Sequence, residues 1–209
     1  MTDADIEALK EKIKKDVDGY RYIHTLSVCD ECRRLAEMFS LSEQDRISLQ
    51  IAALLHDITK SHDKTDQCAL AKKLCADLDE DLVMSPAVLH AFTGASYAEK
   101  EYSEYTNAVI LSAIECHTTG KVDMSLIDKL LFIADYIEPT REHAACKDLR
   151  DFFYASQEDE DIFVHLDKTL LRSFDNTIAL LIKRGGYICQ KTVAARNFIL
   201  KTLDLSNKL

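Results

Sequence analysis

The stretch Ala52-Ala-Leu-Leu-His-Asp-Ile-Thr-Lys60 decides the fold, because it joins an apolar helical segment to two adjacent ionisable side chains. Ser42, with Asp45 three residues later, forms a weak capping box that predicts the start of this helix. The apolar positions that follow have helical spacing; they are Ile47, Ile51, Leu54, Leu55 and Ile58. Neighbouring helical residues lie about 100° apart, so His56 and Asp57 can approach one ion from adjacent directions.

Four more ionisable side chains lie on or beside the apolar stripes of four other predicted helices. They are His24, His90, His117 and Asp135. The stripe of His24 continues through Val28, Cys32, Leu35 and Phe39. The stripe that leads to His117 contains Val109, Ile110, Ala113 and Ile114. Five separate helices thus direct an ionisable group toward the interior.

Local signals predict where two of these helices begin. Ser85 and Pro86 have the order expected of an N-cap and a first helical residue, and they precede His90. Ser125 with Asp128 predicts the start of the helix that carries Asp135. Pro139 is expected to end that helix, because proline removes a backbone donor.

Six ionisable groups on buried stripes need a shared partner. A lone inward histidine is usually a hydrogen-bonded core residue. Burying six such groups without a partner would cost several kcal/mol each. A metal ion offsets that cost, because neutral imidazole and ionised carboxylate are its ligands. The set contains no cysteine, which favours iron, manganese or another metal that prefers nitrogen and oxygen over a structural zinc.

The rest of the chain predicts an all-α protein. Five glycines and two prolines punctuate 209 residues, and no sustained apolar alternation indicates strands. We expect one domain over residues 1–209, with a core at about 17–141 and a helical cover at about 142–209. The cover begins with an acidic stretch at 157–161. A long helix with Phe163 and Leu166 then ends at Gly185, and a last helix packs Val193 and Phe198.

Composition limits the partners. A net charge of −10 opposes binding to long nucleic acid, whereas a metal and a few arginines can still reverse the potential inside a pocket for a small phosphorylated ligand. No apolar segment is long enough for a bilayer, and the polar start differs from a signal peptide. We therefore expect a cytoplasmic protein without membrane contact. The seven cysteines, including the Cys29-Cys32 pair, are predicted to be reduced core residues.

The motifs together resemble the HD-domain phosphohydrolases, and within them the YqeK-type hydrolases that cleave diadenosine tetraphosphate symmetrically. The resemblance covers roughly residues 20 to 200. Its segments are Arg21-Tyr-Ile-His24, residues 52–60, His90 with Gly94-Ala95, His117-Thr-Thr-Gly120, Asp128-Lys129, and Ala134-Asp-Tyr-Ile-Glu-Pro-Thr-Arg141, with a weaker match at Thr192 and Ala195-Arg-Asn197. Between Glu142 and Asp161 little of the family pattern is recognisable. The resemblance implies an HD-domain helical bundle with additional C-terminal helices packed on its core.

The resemblance also implies roles for individual residues. The metal ligands would be His24, His56, Asp57 and Asp135, with iron the expected ion. Asp57, His90 and His117 would be catalytic, with Asp57 orienting or deprotonating the attacking water. The substrate contacts would be Arg21, Lys60, His90, His117, Asp135 and Arg141, and the three cations would face phosphates. His90 and His117 are either phosphate contacts or ligands of a second metal.

These roles predict the cleavage of diadenosine tetraphosphate into two ADP, with a site that also binds a product such as ADP or GDP. Several alternatives stay open. The substrate is otherwise a deoxynucleotide or a cyclic dinucleotide, or the protein is a di-iron oxygenase with His90 and His117 as ligands. A non-enzymatic metal-binding module is the remaining alternative. The sequence leaves the base preference and a homodimer undecided.

Overall fold

The structure, a computed structural model, describes residues 1–61, 64–75, 79–155 and 160–206. In these ranges the chain is helical and contains no strand, which confirms the predicted all-α class. The helices are α1 (Asp3–Ile13), α2 (Gly19–Met38), α3 (Glu43–Leu55), α4 (Lys64–Leu74), α5 (Glu80–Val83), α6 (Leu89–Glu101), α7 (Ala108–Cys116), α8 (Leu126–Ile137), α9 (Ala144–Tyr154), α10 (Ile162–Arg184) and α11 (Gln190–Ser206). Short 3-10 turns, Pro86–Val88 and Ser103–Tyr105, precede α6 and α7.

Side-chain caps fix most of the helix starts. Ser42 accepts a hydrogen bond from the Asp45 amide, and Ser125 forms a full capping box with Asp128, as the sequence predicted. Ser85 and Pro86 are the N-cap and the first residue of the 3-10 turn Pro86–Val88, which runs directly into α6 at Leu89. Ser85 makes no side-chain cap bond; its carbonyl accepts from the amide of Val88 at 2.9 Å.

Helix α3 lies at the centre of the molecule. Every residue from Ile47 to Leu55 is buried, so the helix has no solvent face over this length. Helices α1, α2, α7 and α8 pack around it. A helix that is enclosed on all sides is held rigidly by its neighbours. The end of α3, which His56 follows, is therefore held in a fixed position in the interior.

The two long C-terminal helices contribute to the same hydrophobic core. Leu166, Leu170 and Phe174 of α10 and Ala195 of α11 are buried in one cluster with the residues of α2, α3, α7 and α8. Phe174 packs against Phe132 of α8 with ring centroids 4.9 Å apart. The division of a single domain into a core at 17–141 and a cover at 142–209 stays a prediction. Residues 157–159 of the acidic stretch lie outside the described residues.

Three positions that the apolar pattern assigned to the core are partly exposed: Val109 (44%), Phe163 (50%) and Val193 (39%). Each lies within the first four residues of its helix. Phe163 still contacts the edge of Phe39, at a centroid distance of 5.5 Å. The pattern identified these three helices and included one exposed position near the start of each.

All seven cysteines are free thiols, as predicted. Cys29 and Cys32 are completely buried, and burial raises the pKa of the Cys29 thiol to about 11. Thiols that stay protonated at neutral pH are poor nucleophiles and metal ligands. Among the described residues, no helix has the length and apolar character needed to cross a bilayer.

Gly120 gives a test of how tightly the C-terminal helices are packed on the core. It has φ +66°, and a β-carbon there would lie 2.6 Å from Cζ of Phe174 and 2.9 Å from Cβ of Ala195. We expect Gly120→Ala to lower the free energy of unfolding by about 2–5 kcal/mol, from the left-handed backbone and the overpacking together. Urea unfolding measures this change.

Gly185→Ala is the matched control, because Gly185 has φ +63° but nothing within 4 Å of its β-carbon position. This variant should lose only about 1–2 kcal/mol, the cost of the left-handed conformation. Equal losses in the two variants would show that α10 and α11 do not press on Gly120.

Candidate active site

The end of α3 presents His56 and Asp57 to an interior cluster of ionisable groups. His56 is the C-cap of α3, and the next turn closes through a hydrogen bond from the amide of Lys60 to the carbonyl of Asp57 at 3.0 Å. His56 is fully buried and Asp57 is 1% exposed. A carboxylate in such a position needs compensating charge or hydrogen bonds to stay ionised.

Asp57 receives that compensation from two cations and two further histidines. Its Oδ2 lies 2.9 Å from Nη1 of Arg21 and 3.0 Å from Nζ of Lys60. Its Oδ1 lies 3.3 Å from Nε2 of His90 and 3.6 Å from Nε2 of His117. Helices α2, α6 and α7 supply Arg21, His90 and His117 from around the end of α3, and Lys60 lies one turn beyond Asp57.

Asp135 of α8 forms the second half of the cluster. Its Oδ1 lies 3.0 Å from Nε2 of His24, 3.7 Å from Nε2 of His56 and 2.5 Å from Nη2 of Arg141. Pro139 has no amide hydrogen to offer the carbonyl of Asp135, and Nε of Arg141 donates to that carbonyl at 2.5 Å. The proline that ends α8 thereby leaves an acceptor that draws Arg141 back to the cluster.

Hydrogen bonds on the far side of each ring fix the orientation of the histidines. Nδ1 of His56, His90 and His117 donates to the carbonyls of Ala53, Ala87 and Ile114 at 2.7, 2.9 and 2.6 Å. Nδ1 of His24 donates to Oε1 of Glu138 at 3.0 Å. When each ring is neutral, its Nε2 lone pair therefore points into the cluster, as a metal-binding imidazole requires.

The donor atoms fit a metal ion. Nε2 of His56 is buried without a hydrogen-bond partner, and Nε2 of His24 lies 3.0 Å from Oδ1 of Asp135. A neutral ring would direct its lone pair at these carboxylate oxygens, so each contact needs a positive charge, either a proton on the imidazole or a metal ion between the two groups. Two groups have ligand atoms within 4.8 Å of one another: His24 with His56 and Asp135, and His56 with Asp57 and His117. Imidazole nitrogen and carboxylate oxygen suit iron, manganese or a similar divalent ion.

The pKa values of the histidines in the cluster are shifted in opposite directions. Burial alone would lower the pKa of His24, but the carboxylates of Asp135 and Glu138 outweigh it and raise that pKa to about 9. Burial lowers the pKa of His90 to about 4 and also lowers the pKa of His117. Despite burial, the surrounding histidines and cations hold the pKa values of Asp57 and Asp135 well below the usual range. Both carboxylates are therefore ionised at neutral pH.

The nine side chains singled out from the sequence lie together in this cluster. They are Arg21, His24, His56, Asp57, Lys60, His90, His117, Asp135 and Arg141. Glu138 was not predicted as a member of the site, and its carboxylate is fully buried beneath His24. The available signal was its spacing, because a residue three positions after Asp135 lies on the same face of the helix.

The family model described as an HD domain matches residues 21–140. Two relatives are named symmetrical bis(5'-nucleosyl)-tetraphosphatase. The protein of Halalkalibacterium halodurans is 32% identical over 188 residues, which cover 90% of this chain and 93% of the relative. The protein of Staphylococcus aureus is 31% identical over 194 residues, which cover 92% and 93%. A crystal structure from Clostridium acetobutylicum, described as a predicted HD superfamily hydrolase involved in NAD metabolism, matches with TM-score 0.80 at 33% identity and covers 94% of this chain and 97% of that one.

The His24–Glu138 pair predicts how the stability of the metal-free protein depends on pH. The pKa of His24 is raised to about 9 from 6.5, so its contribution is complete below pH 6.5 and is lost as pH rises through 9. The pKa of Glu138 is lowered to about 2 from 4.5, by His24 and Thr140 against the effect of burial. Its contribution is complete above pH 4.5 and is lost toward pH 2. The pair therefore stabilises most between pH 4.5 and 6.5.

Denaturant unfolding of the metal-free protein from pH 3 to 9 measures this dependence. His90 has the opposite sign, since its lowered pKa makes stability fall as pH drops from 6.5 toward 4. Subtracting the free energy of unfolding of Glu138→Gln from that of the native protein cancels the contribution of His90. This difference should be largest between pH 4.5 and 6.5. Glu99→Gln, on the exposed face of α6, is the control. Parallel profiles for the native protein and Glu138→Gln would contradict the assignment.

Proposed function

The chain belongs to the HD-domain family, within the group of relatives named symmetrical bis(5'-nucleosyl)-tetraphosphatase, and we propose that it hydrolyses diadenosine tetraphosphate to two ADP with a bound metal ion. The observation that carries the proposal is the buried cluster in which two carboxylates and four imidazoles face one another beside three cations. The names of the relatives support the substrate, and the cluster supports the chemistry.

In this proposal the metal ligands are His24, His56, Asp57 and Asp135. Iron is the proposed ion, and manganese or another divalent metal would suit the same donors. When bound, the ion would act as a Lewis acid and lower the pKa of a coordinated water. The group of His56, Asp57 and His117 offers donors for a second ion, so the number of metals is part of the test.

Asp57 is proposed to orient the attacking water. Arg21 and Lys60 contact its Oδ2, and the low pKa of this carboxyl makes it a hydrogen-bond acceptor that does not readily retain a proton. His90 and His117 direct Nε2 toward the other oxygen and are neutral at pH 7, because burial lowers their pKa values. Because Nδ1–H of each ring is donated to a backbone carbonyl, the neutral rings present Nε2 lone pairs. They would serve as ligands of a second metal, or would donate to phosphoryl oxygens as imidazolium once the negative charge of a bound polyphosphate raises their pKa values.

The cations mark the entrance of the site. The side chains of Arg21, Lys60 and Arg141 are 20%, 29% and 29% exposed, whereas the carboxylates that they contact, Asp57 and Asp135, are 0% and 13% exposed. A polyphosphate that approaches the cluster therefore meets three positive groups first. Their charge reverses the repulsion expected from a chain with a net charge of −10. Arginine can hold phosphate oxygens in a bidentate manner, which favours a defined orientation.

Product identification tests the substrate and the position of the cut. The purified protein, with Fe²⁺ or Mn²⁺, should convert diadenosine tetraphosphate to ADP alone, and chelation should stop the reaction. Elemental analysis of the same sample gives the metal identity and number. Formation of AMP and ATP would overturn the symmetrical cut. Turnover of only deoxynucleotides or cyclic dinucleotides, or a reaction that needs dioxygen, would support the alternative functions instead.

Asp57→Asn tests the catalytic role. We expect kcat to fall by about 10²–10⁴-fold, because the amide removes both a ligand charge and the acceptor for the attacking water. Steady-state kinetics with diadenosine tetraphosphate, together with metal analysis, measure this loss. Asp151→Asn, on the exposed side of α9, is the matched control. Normal turnover by Asp57→Asn with full metal content would show that the assignment is wrong.

A further inference from the structure

Arg150 of α9 holds the turn that carries two groups of the active-site cluster. Its Nε donates to the carbonyl of Ile137 at 2.5 Å, and its Nη2 donates to the carbonyls of Glu138 at 2.5 Å and Arg141 at 3.0 Å. One guanidinium thus satisfies three backbone acceptors within five residues. The matched HD segment ends at residue 140, so Arg150 acts on the site from beyond it.

The turn needs an outside donor because of how α8 ends. The last carbonyls of a helix have no amide partner within it. Pro139 also removes one amide hydrogen, and the backbone leaves the helical conformation at Glu138, with φ −55° and ψ 147°. Without Arg150, the carbonyls of Ile137 and Glu138 would lose their side-chain donor in a largely buried region.

Two side chains of this turn, Glu138 and Arg141, contact the active-site cluster. Oε1 of Glu138 accepts from Nδ1 of His24 at 3.0 Å, and Thr140 fixes the same carboxylate through its hydroxyl at 2.6 Å and its amide at 2.7 Å. Arg141 reaches back to Asp135 at 2.5 Å. A displacement of the turn would therefore move the carboxylate beneath His24 and the guanidinium on Asp135 together.

We propose that Arg150 is a positioning residue for the metal centre, acting through the 137–141 turn on His24 and Asp135. It touches neither the ion nor the substrate. Glu138 would orient His24 and strengthen it as a ligand, as carboxylates behind metal-binding histidines do. Arginine suits the task because its planar fork reaches several acceptors at once, whereas lysine carries a single point charge. This inference rests on the proposed metal centre and does not depend on the substrate.

The affinity for Mn²⁺ tests the inference without reference to turnover. Competition with a chromophoric chelator gives the Kd of the native protein, Arg150→Lys, Arg150→Ala and the control Lys147→Ala, whose side chain is exposed on the same helix. We expect both Arg150 variants to bind Mn²⁺ about 10–100-fold more weakly, as observed when partners behind metal ligands are removed. Lys147→Ala should bind like the native protein.

A second measurement separates positioning from general stabilisation. Methylguanidine at millimolar concentration should restore part of the Mn²⁺ affinity of Arg150→Ala, because it replaces the missing donors, and it should not change the affinity of Arg150→Lys. If Arg150→Ala fails to fold, the Kd of Arg150→Lys decides. A folded Arg150 variant with the native Kd would overturn the inference while leaving the metal centre intact. Absence of Mn²⁺ binding by the native protein would overturn the proposed centre and this inference together.

Discussion

The structure depends on keeping two carboxylates ionised in the interior. Asp57 and Asp135 are removed from most of the solvent, and a bare carboxylate there would cost several kcal/mol. Three cations and four imidazoles, drawn from helices far apart in the chain, surround them. This requirement explains why α2, α6, α7 and α8 all direct a charged or titratable side chain to the end of α3. The fold and the site are therefore a single arrangement, in which packing around α3 brings the ligands together.

Much of this arrangement could be predicted from the sequence. An ionisable residue on an apolar stripe is a strong signal, because burial must be compensated, and six such residues implied a shared partner before any geometry was known. The cations were assigned through the family resemblance, and they lie beside the carboxylates. Caps and apolar stripes also indicated the helices that carry the site and the two C-terminal helices, but not α4, α5 or α9, and they assigned the exposed positions Val109, Phe163 and Val193 to the core.

Glu138 and Arg150 were missed for a physical reason. Their roles arise from tertiary contacts: Glu138 acts through the far nitrogen of His24, and Arg150 acts through three backbone carbonyls. Backbone acceptors leave no trace in a residue pattern. The hydrogen bonds that orient His56, His90 and His117 also end on carbonyls, so the sequence could not indicate which ring nitrogen faces the cluster. Ligand identity is readable from residue types, whereas ligand orientation requires the fold.

Pro139 has a consequence for how this site can change during evolution. By ending α8 it leaves the carbonyl of Asp135 without an amide partner. Nε of Arg141 donates to this carbonyl, and Nη2 of Arg141 contacts the carboxylate of the same residue. Pro139 thus both ends the helix and leaves the acceptor that positions Arg141. A substitution of Pro139 would restore an amide hydrogen that can bond to the carbonyl of Asp135. The helix could then continue, and Arg141 would lose this acceptor. The two positions are expected to show epistasis, with neither drifting alone.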